Sequence, residues 1–162
     1  MQYGVGVEYA LHCLVYFIGS NSAEPIRIKD LAKFQGVSES YLSKIFTKLV
    51  KAEILNSIPG VKGGYELTKS PQSISFWDVI QAVEGQKPVF ECRNIIGNCI
   101  INNEAGCATS LPCRINVTML EGEKMMQDYF KGKTLLWLRE TLDHELPKER
   151  LEKTIEWFNQ RQ

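Results

Sequence analysis

Five cysteines, at positions 13, 92, 99, 107 and 113, are the residues of this chain best suited to chemistry, and four of them crowd between 92 and 113. Thiolates ligate metals, hold iron–sulfur clusters, and undergo oxidation or disulfide exchange. An odd count argues against a closed disulfide framework. No C-x-x-C pair occurs, which argues against a zinc ribbon. Crowded cysteines in a reducing compartment therefore point to a metal cluster or to redox chemistry of the thiols themselves. Cys13 stands apart in an apolar stretch and reads as a small core residue. Enzyme chemistry finds little support. The chain has two histidines, and it has no Gly-rich phosphate loop, G-x-S-x-G or H-E-x-x-H.

A second set of residues suits nucleic acid. Lys44, Lys48, Lys51, Lys62 and Lys69 face only Glu53 and Glu66 in the stretch 41–69, a basic surplus within a chain of net charge zero. Lysines there neutralise phosphates, while Ser38, Ser40, Tyr41, Ser43 and Thr47 reach phosphates or base edges. Taken alone, the lysines describe an ordinary solvated helix face, so the elements that carry them decide the matter.

Those elements follow from periodicity. Val7, Ala10, Leu11, Leu14, Val15 and Ile18 repeat at helical spacing and predict a first helix. A loop at Asn21–Pro25 precedes a short helix around Lys29–Phe34, which Gly36 ends. Ser38 is placed to cap a helix whose apolar stripe is Leu42, Ile45, Phe46, Leu49 and Val50, and whose other face carries Ser40, Lys44, Thr47, Lys48 and Lys51. Two short apolar runs flank Pro59-Gly60-Val61-Lys62-Gly63-Gly64 and predict a β-hairpin. Helix, Gly turn, helix with a basic face, then a Gly-rich hairpin is the order of a winged helix-turn-helix. Gly63 and Gly64 are expected either to take backbone angles costly for other residues or to approach DNA closely.

Ser75 caps a further helix carrying Phe76, Val79, Ile80 and Val83, and Gly85 closes it. Residues 86–112 show no period and read as a loop. A long helix from Arg114 to about Phe130 carries the ridge Ile115, Met119, Met126 and Phe130. That ridge exceeds what a small winged-helix core can cover, so it predicts a homodimer. Thr134 caps another helix, and Pro147 precedes the last one, with Leu151, Ile155 and Phe158. The fold class expected is mainly α with a small β-hairpin wing. Its parts are a DNA-binding domain over 1–85, a cysteine-containing sensor loop over 86–113, and a helical dimerisation region over 114–162. The chain has 162 residues, 44% of them hydrophobic, enough to bury a core. No basic leader and no apolar run of about 18 residues is visible, so a cytoplasmic location is expected.

Specific stretches resemble the Rrf2 family of bacterial winged-helix regulators. They are Glu8-Tyr9-Ala10-Leu11, Val37-Ser38-Glu39-Ser40-Tyr41-Leu42, Gly60-Val61-Lys62-Gly63-Gly64-Tyr65 and Trp77-Asp78-Val79-Ile80-Gln81-Ala82-Val83-Glu84-Gly85, followed by the cysteine loop. The resemblance covers roughly residues 3–142 and implies a DNA-binding transcriptional regulator, a repressor, with double-stranded DNA as partner. One departure stands out: many members carry an arginine at the start of the wing, and here the sequence reads Ser57-Ile58-Pro59.

Within the family, Val7-Glu8-Tyr9-Ala10-Leu11-His12-Cys13 looks most like a redox-sensing branch that holds a 2Fe–2S cluster through two cysteines, a glutamate and a histidine. The resemblance implies Glu8 and His12 from one subunit and Cys92 and Cys113 from the other. Glu8 and His12 stand i, i+4 on a helix, so both can approach one iron. Imidazole in place of thiolate raises a cluster's potential. A rival set of Cys99, Cys107 and Cys113, with Glu8, resembles the three-cysteine pattern of nitric-oxide-sensing members. A regulator without any metal, sensing through thiols or through a partner protein, remains the alternative.

Overall fold

The computed structural model of the protein describes residues 3–19, 25–103 and 111–161. Most of the loop expected at Asn21–Pro25 lies outside the described residues, as does Cys107. Helix α1, Val5–Leu14, turns Val7, Ala10, Cys13 and Leu14 inward. The first helix breaks at Val15 instead of running unbroken through Ile18, and it resumes as α2, Tyr16–Gly19. The rings on either side of α2 then seek different partners: Tyr16 packs on Phe34 and Phe158, while Phe17 packs on Phe46.

Helix α3, Ile28–Gln35, stops at Gly36, whose φ of 68° lies in the left-handed region that glycine enters at least cost. The Val37 N–H then closes on the Ala32 carbonyl at 3.0 Å. Helix α4, Glu39–Lys51, buries Leu42, Ile45, Phe46 and Leu49 against α1, α3 and α5 (Phe76–Glu84). The position before α4 belongs to Ser38 as expected, but its hydroxyl pairs with the Ser40 hydroxyl at 2.9 Å and caps no backbone N–H.

The hairpin joins β1, Leu55–Ile58, to β2, Gly64–Leu67, with Leu55 opposite Leu67 and Ile58 opposite Gly64. The chain before α3 adds an isolated bridge. Ile26 and Tyr65 exchange N–H···O bonds of 2.9 Å in both directions. Tyr65 in turn sets its ring edge-on to Phe46 of α4, with centroids 4.9 Å apart. The wing is thus fixed to both helices of the helix-turn-helix.

A reciprocal capping box starts α5. The Ser75 hydroxyl accepts from the Asp78 N–H at 3.1 Å, and the Asp78 carboxylate accepts from the Ser75 N–H at 2.7 Å. The expected irregular segment after Gly85 contains a short 3-10 turn, Ile100–Asn103. Helix α6 spans Arg114–Lys131, α7 spans Leu135–Glu145, and α8 spans Lys148–Asn159. Thr134 accepts the Trp137 N–H at 3.1 Å, as its capping role requires.

One buried cluster runs through these elements, and Leu135 of α7 and Phe158 of α8 belong to it together with Leu14, Leu42 and Phe46. Helix α6 differs: no residue on it is buried. The ridge expected along it divides in two. Met126 and Phe130 lean on their own chain, where the Tyr3 hydroxyl donates to the Met126 sulfur at 3.5 Å and the Tyr3 ring meets Phe130 edge-on. Ile115 and Met119 stay 68% and 40% exposed, with Leu120, Met125 and Tyr129 exposed near them.

Candidate functional site

The polar side of α4 is exposed, and α4 packs against β1 of the wing hairpin. Ser38, Ser40, Tyr41, Lys44, Thr47 and Lys48 are exposed along α4, and Ser43 is half-buried. Their freedom differs. The Thr47 hydroxyl donates to the Ser43 carbonyl of its own helix at 2.8 Å, which holds its rotamer. Tyr41 lays its ring edge-on to Tyr9 of α1 at 5.9 Å between centroids. The Lys48 ammonium donates to the Val83 carbonyl of α5 at 2.6 Å. Lys44 makes no hydrogen bond or ion pair among the described residues, so its charge is free for a phosphate.

On the wing, Lys62 is exposed beside Val61, which is 98% exposed at the tip. Of the two purposes expected for Gly63 and Gly64, the costly backbone angle does not apply. The left-handed turn position is Gly60, with φ of 110°, and neither Gly63 nor Gly64 has a positive φ. Both are glycine because the chain folds tightly on itself. A Cβ on Gly64 would stand 2.7 Å from the Ile26 oxygen, and one on Gly63 would collide with the Ile58 carbonyl. Arg27 reaches the same region through the Ile26–Tyr65 bridge, and it forms an ion pair with Asp30 at 2.8 Å. Sequence spacing gives no sign of Arg27, because the bridge joins segments far apart in the chain.

The cysteines fall into two environments. Cys13 is fully buried, and that burial pushes its thiol up to about 12. Cys92 and Cys99 are exposed, Cys113 is half-buried, and none of the three forms a disulfide. The Cys92 sulfur accepts the Asn94 N–H at 3.4 Å. Cys113 occupies the position before α6 and caps no backbone N–H there.

Glu8 and His12 are exposed on the same side of α1 and have no hydrogen bond or ion pair among the described residues. They line a groove of about 610 Å³ whose other wall includes Leu138 and Leu142 of α7 and Leu151 and Ile155 of α8. Among the described residues, no cysteine lines that groove. Free thiols, a carboxylate and an imidazole are suitable donors for an iron–sulfur cluster. However, the described residues of one chain bring together no group of three or more His, Cys, Asp or Glu able to hold a metal. A site using Glu8, His12, Cys92 and Cys113 therefore needs donors from two chains.

No described helix is long and apolar enough to cross a membrane. Sequence comparison finds regulators, not enzymes. The chain is 33% identical over 100 residues to the HTH-type transcriptional regulator NsrR of Bacillus licheniformis, covering 61% of this chain and 70% of that one. It is 26% identical over 159 residues to the HTH-type transcriptional regulator IscR of Escherichia coli, covering 92% and 93%. Among solved structures, CymR, the global cysteine regulator of Bacillus subtilis, superposes with a TM-score of 0.68 at 20% identity, covering 87% of this chain and 98% of that one. The Rrf2 profile, described as an iron-dependent transcriptional regulator, matches residues 4–141. With its winged helix-turn-helix, this chain belongs to the Rrf2 family of transcriptional regulators.

Proposed function

We propose that the protein binds double-stranded DNA as a homodimer through α4 and the wing, and that an iron–sulfur cluster shared between the subunits switches its affinity. The observation that carries the DNA reading is the exposure of Ser38, Ser40, Tyr41, Lys44, Thr47 and Lys48 on α4 and of Lys62 on the wing, with Lys44 making no hydrogen bond or ion pair among the described residues. In this reading residues 1–85 form the DNA-binding domain, 86–113 the sensor segment and 114–162 the helical dimerisation region. Dimerisation is supported by α6, which has no buried residue and exposes Ile115, Met119 and Leu120. Midway along that helix, a Cβ on Gly122 would meet nothing within 4 Å. Glycine inside a helix costs about 1 kcal/mol relative to alanine. A close-packed partner helix gives that glycine a purpose. A monomeric mass at micromolar concentration contradicts the dimer.

The cluster reading is supported by free donors on α1 and in the cysteine segment. A cluster supplies a one-electron change in local charge where two subunits meet. The residues of this chain do the rest: Glu8 and His12 present donors from one helix face, and the cysteine segment presents thiols at the start of α6. A second reading, regulation by thiol oxidation without metal, is favoured by the exposure of Cys92 and Cys99. Anaerobic purification with iron, sulfide and visible-absorbance measurement separates the two. The cluster reading expects iron and sulfide in the wild type, their loss in Cys92→Ala, Cys113→Ala or His12→Ala, and retention in Cys99→Ala and Cys107→Ala. Loss in Cys99→Ala or Cys107→Ala with retention in His12→Ala moves the ligand set to three cysteines. Colourless protein with no iron or sulfide favours the thiol reading.

A further inference from the structure

We infer that Lys48 is a positioning residue that ties the recognition helix to the base of the cysteine segment, and that it is not a phosphate contact. Its position on the polar face of α4 suggests the opposite, since Lys44 and Lys48 sit one turn apart. The two differ in what they touch. The Lys48 ammonium donates to the Val83 carbonyl at 2.6 Å in a partly buried contact spanning 35 residues. Val83 lies in the last turn of α5, where carbonyls lack partners within the helix. The negative end of the helix dipole adds to the attraction for a cation.

That helix end is a junction. The next residue, Glu84, accepts the N–H of Gly4 at 2.9 Å, at the start of the helix that carries Glu8 and His12. Gly85 follows, with φ of 81°, and directs the chain into the cysteine segment. Within that segment, the Val89 N–H donates to Glu123 of α6 at 3.2 Å. Three residues, Val83, Glu84 and Gly85, thus join the recognition helix, the first helix and the sensor segment. A shift of the segment moves the Val83 carbonyl, and Lys48 transmits that shift to α4. The inference rests on the reading that the cysteine segment senses a redox change.

The test uses the full-length protein, prepared anaerobically, and a labelled duplex enriched from a random-sequence pool by the wild type. Affinity is measured in the reduced and the oxidised state over a range of salt concentrations. Wild-type affinity should differ between states by a factor within the roughly 5–150-fold typical of coupled sites. In Lys48→Met the two states should converge while the salt slope stays at the wild-type value, and Lys48→Arg should restore the difference in part. Glu84→Ala leaves Lys48 intact but loosens the same helix end, so it should also shrink the difference at unchanged salt slope. It keeps the question answerable if Lys48→Met does not fold. The inference is overturned if Lys48→Met, or Glu84→Ala in its place, keeps the wild-type ratio between states. It is equally overturned if Lys48→Met weakens both states alike with a slope smaller by about one phosphate's share. A wild type indifferent to redox state defeats the sensor reading itself, and this inference with it.

Discussion

Gly64 and Ile26 meet backbone to backbone. A Cβ on Gly64 would stand 2.7 Å from the Ile26 oxygen, and the neighbouring Tyr65 exchanges two hydrogen bonds of 2.9 Å with Ile26. The wing is therefore anchored to the chain that enters α3, and the glycine permits that approach. Gly64→Val should destabilise the protein by about 1–3 kcal/mol, as overpacking does. The loss appears as a lower melting temperature without DNA present. A Gly64→Val protein with wild-type melting and wild-type DNA binding contradicts both the anchor and the wing's part in binding.

Tyr41 has two roles that separate by substitution. Its ring contacts Tyr9 edge-on, and its hydroxyl lies 3.4 Å from where a Cβ on Gly6 would be. Edge-on ring pairs contribute about 0.5–1.5 kcal/mol beyond their buried area. Tyr41→Ala should therefore lower stability by at least that amount, whereas Tyr41→Phe should melt like the wild type. Any decrease of DNA affinity in Tyr41→Phe then belongs to the hydroxyl alone. Equal melting temperatures for all three proteins contradict the packing role.

Helix α8 lies beyond the residues matched by the family profile, which ends at 141, yet Phe158 is only 6% exposed. Its ring packs at a tilt against Tyr16 and Phe34, with centroids 5.2 and 5.1 Å away. Phe34 belongs to the first helix of the helix-turn-helix, so α8 should support the DNA-binding domain directly. Phe158→Ala should cost about 3 kcal/mol. A change under about 0.5 kcal/mol, the range of ordinary surface substitutions, shows α8 to be dispensable.

Cys13 should behave unlike the other thiols. Burial pushes it up from 9.0 to about 12, which disfavours the reactive thiolate in the folded state. A group whose folded value is raised contributes stability that is fully present below its unfolded value. That contribution is lost as pH climbs from about 9 towards about 12. At pH 8, alkylation read by mass spectrometry should modify Cys92 and Cys99 in the native protein and Cys13 only after denaturation. Rapid native labelling of Cys13 contradicts its burial.

Much of the fold was legible because its signals are local. Ser75 and Asp78 stand three apart and form a capping box, Gly36 closes α3, and the apolar stripe of α4 is buried at Leu42, Ile45, Phe46 and Leu49. What escaped sequence reading depends on distant pairs. The bond from Lys48 to Val83 spans 35 residues, and the Ile26–Tyr65 bridge that explains Gly64 joins the wing to a segment before α3. Periodicity assigned Met126 and Phe130 to the dimer ridge, and both also touch Tyr3 of their own chain, because a helix face records that it is apolar but not which apolar surface covers it. Glu8 and His12 were readable as a pair on one helix face, whereas spacing does not encode that the groove they line has no cysteine among its described residues.

The most direct test of the central claim, that α4 and the wing form the DNA-binding surface, is the salt dependence of duplex binding by the wild type and by Lys44→Ala. Each phosphate that the protein no longer neutralises lowers the slope of log affinity against log salt by about 0.9. Lys44 carries no internal bond among the described residues, so its removal should leave the melting temperature unchanged. The prediction is weaker binding on every sequence and a slope reduced by about that step for each subunit on the DNA. Unchanged affinity and slope in a folded Lys44→Ala protein contradict the claim and place the DNA-binding surface elsewhere.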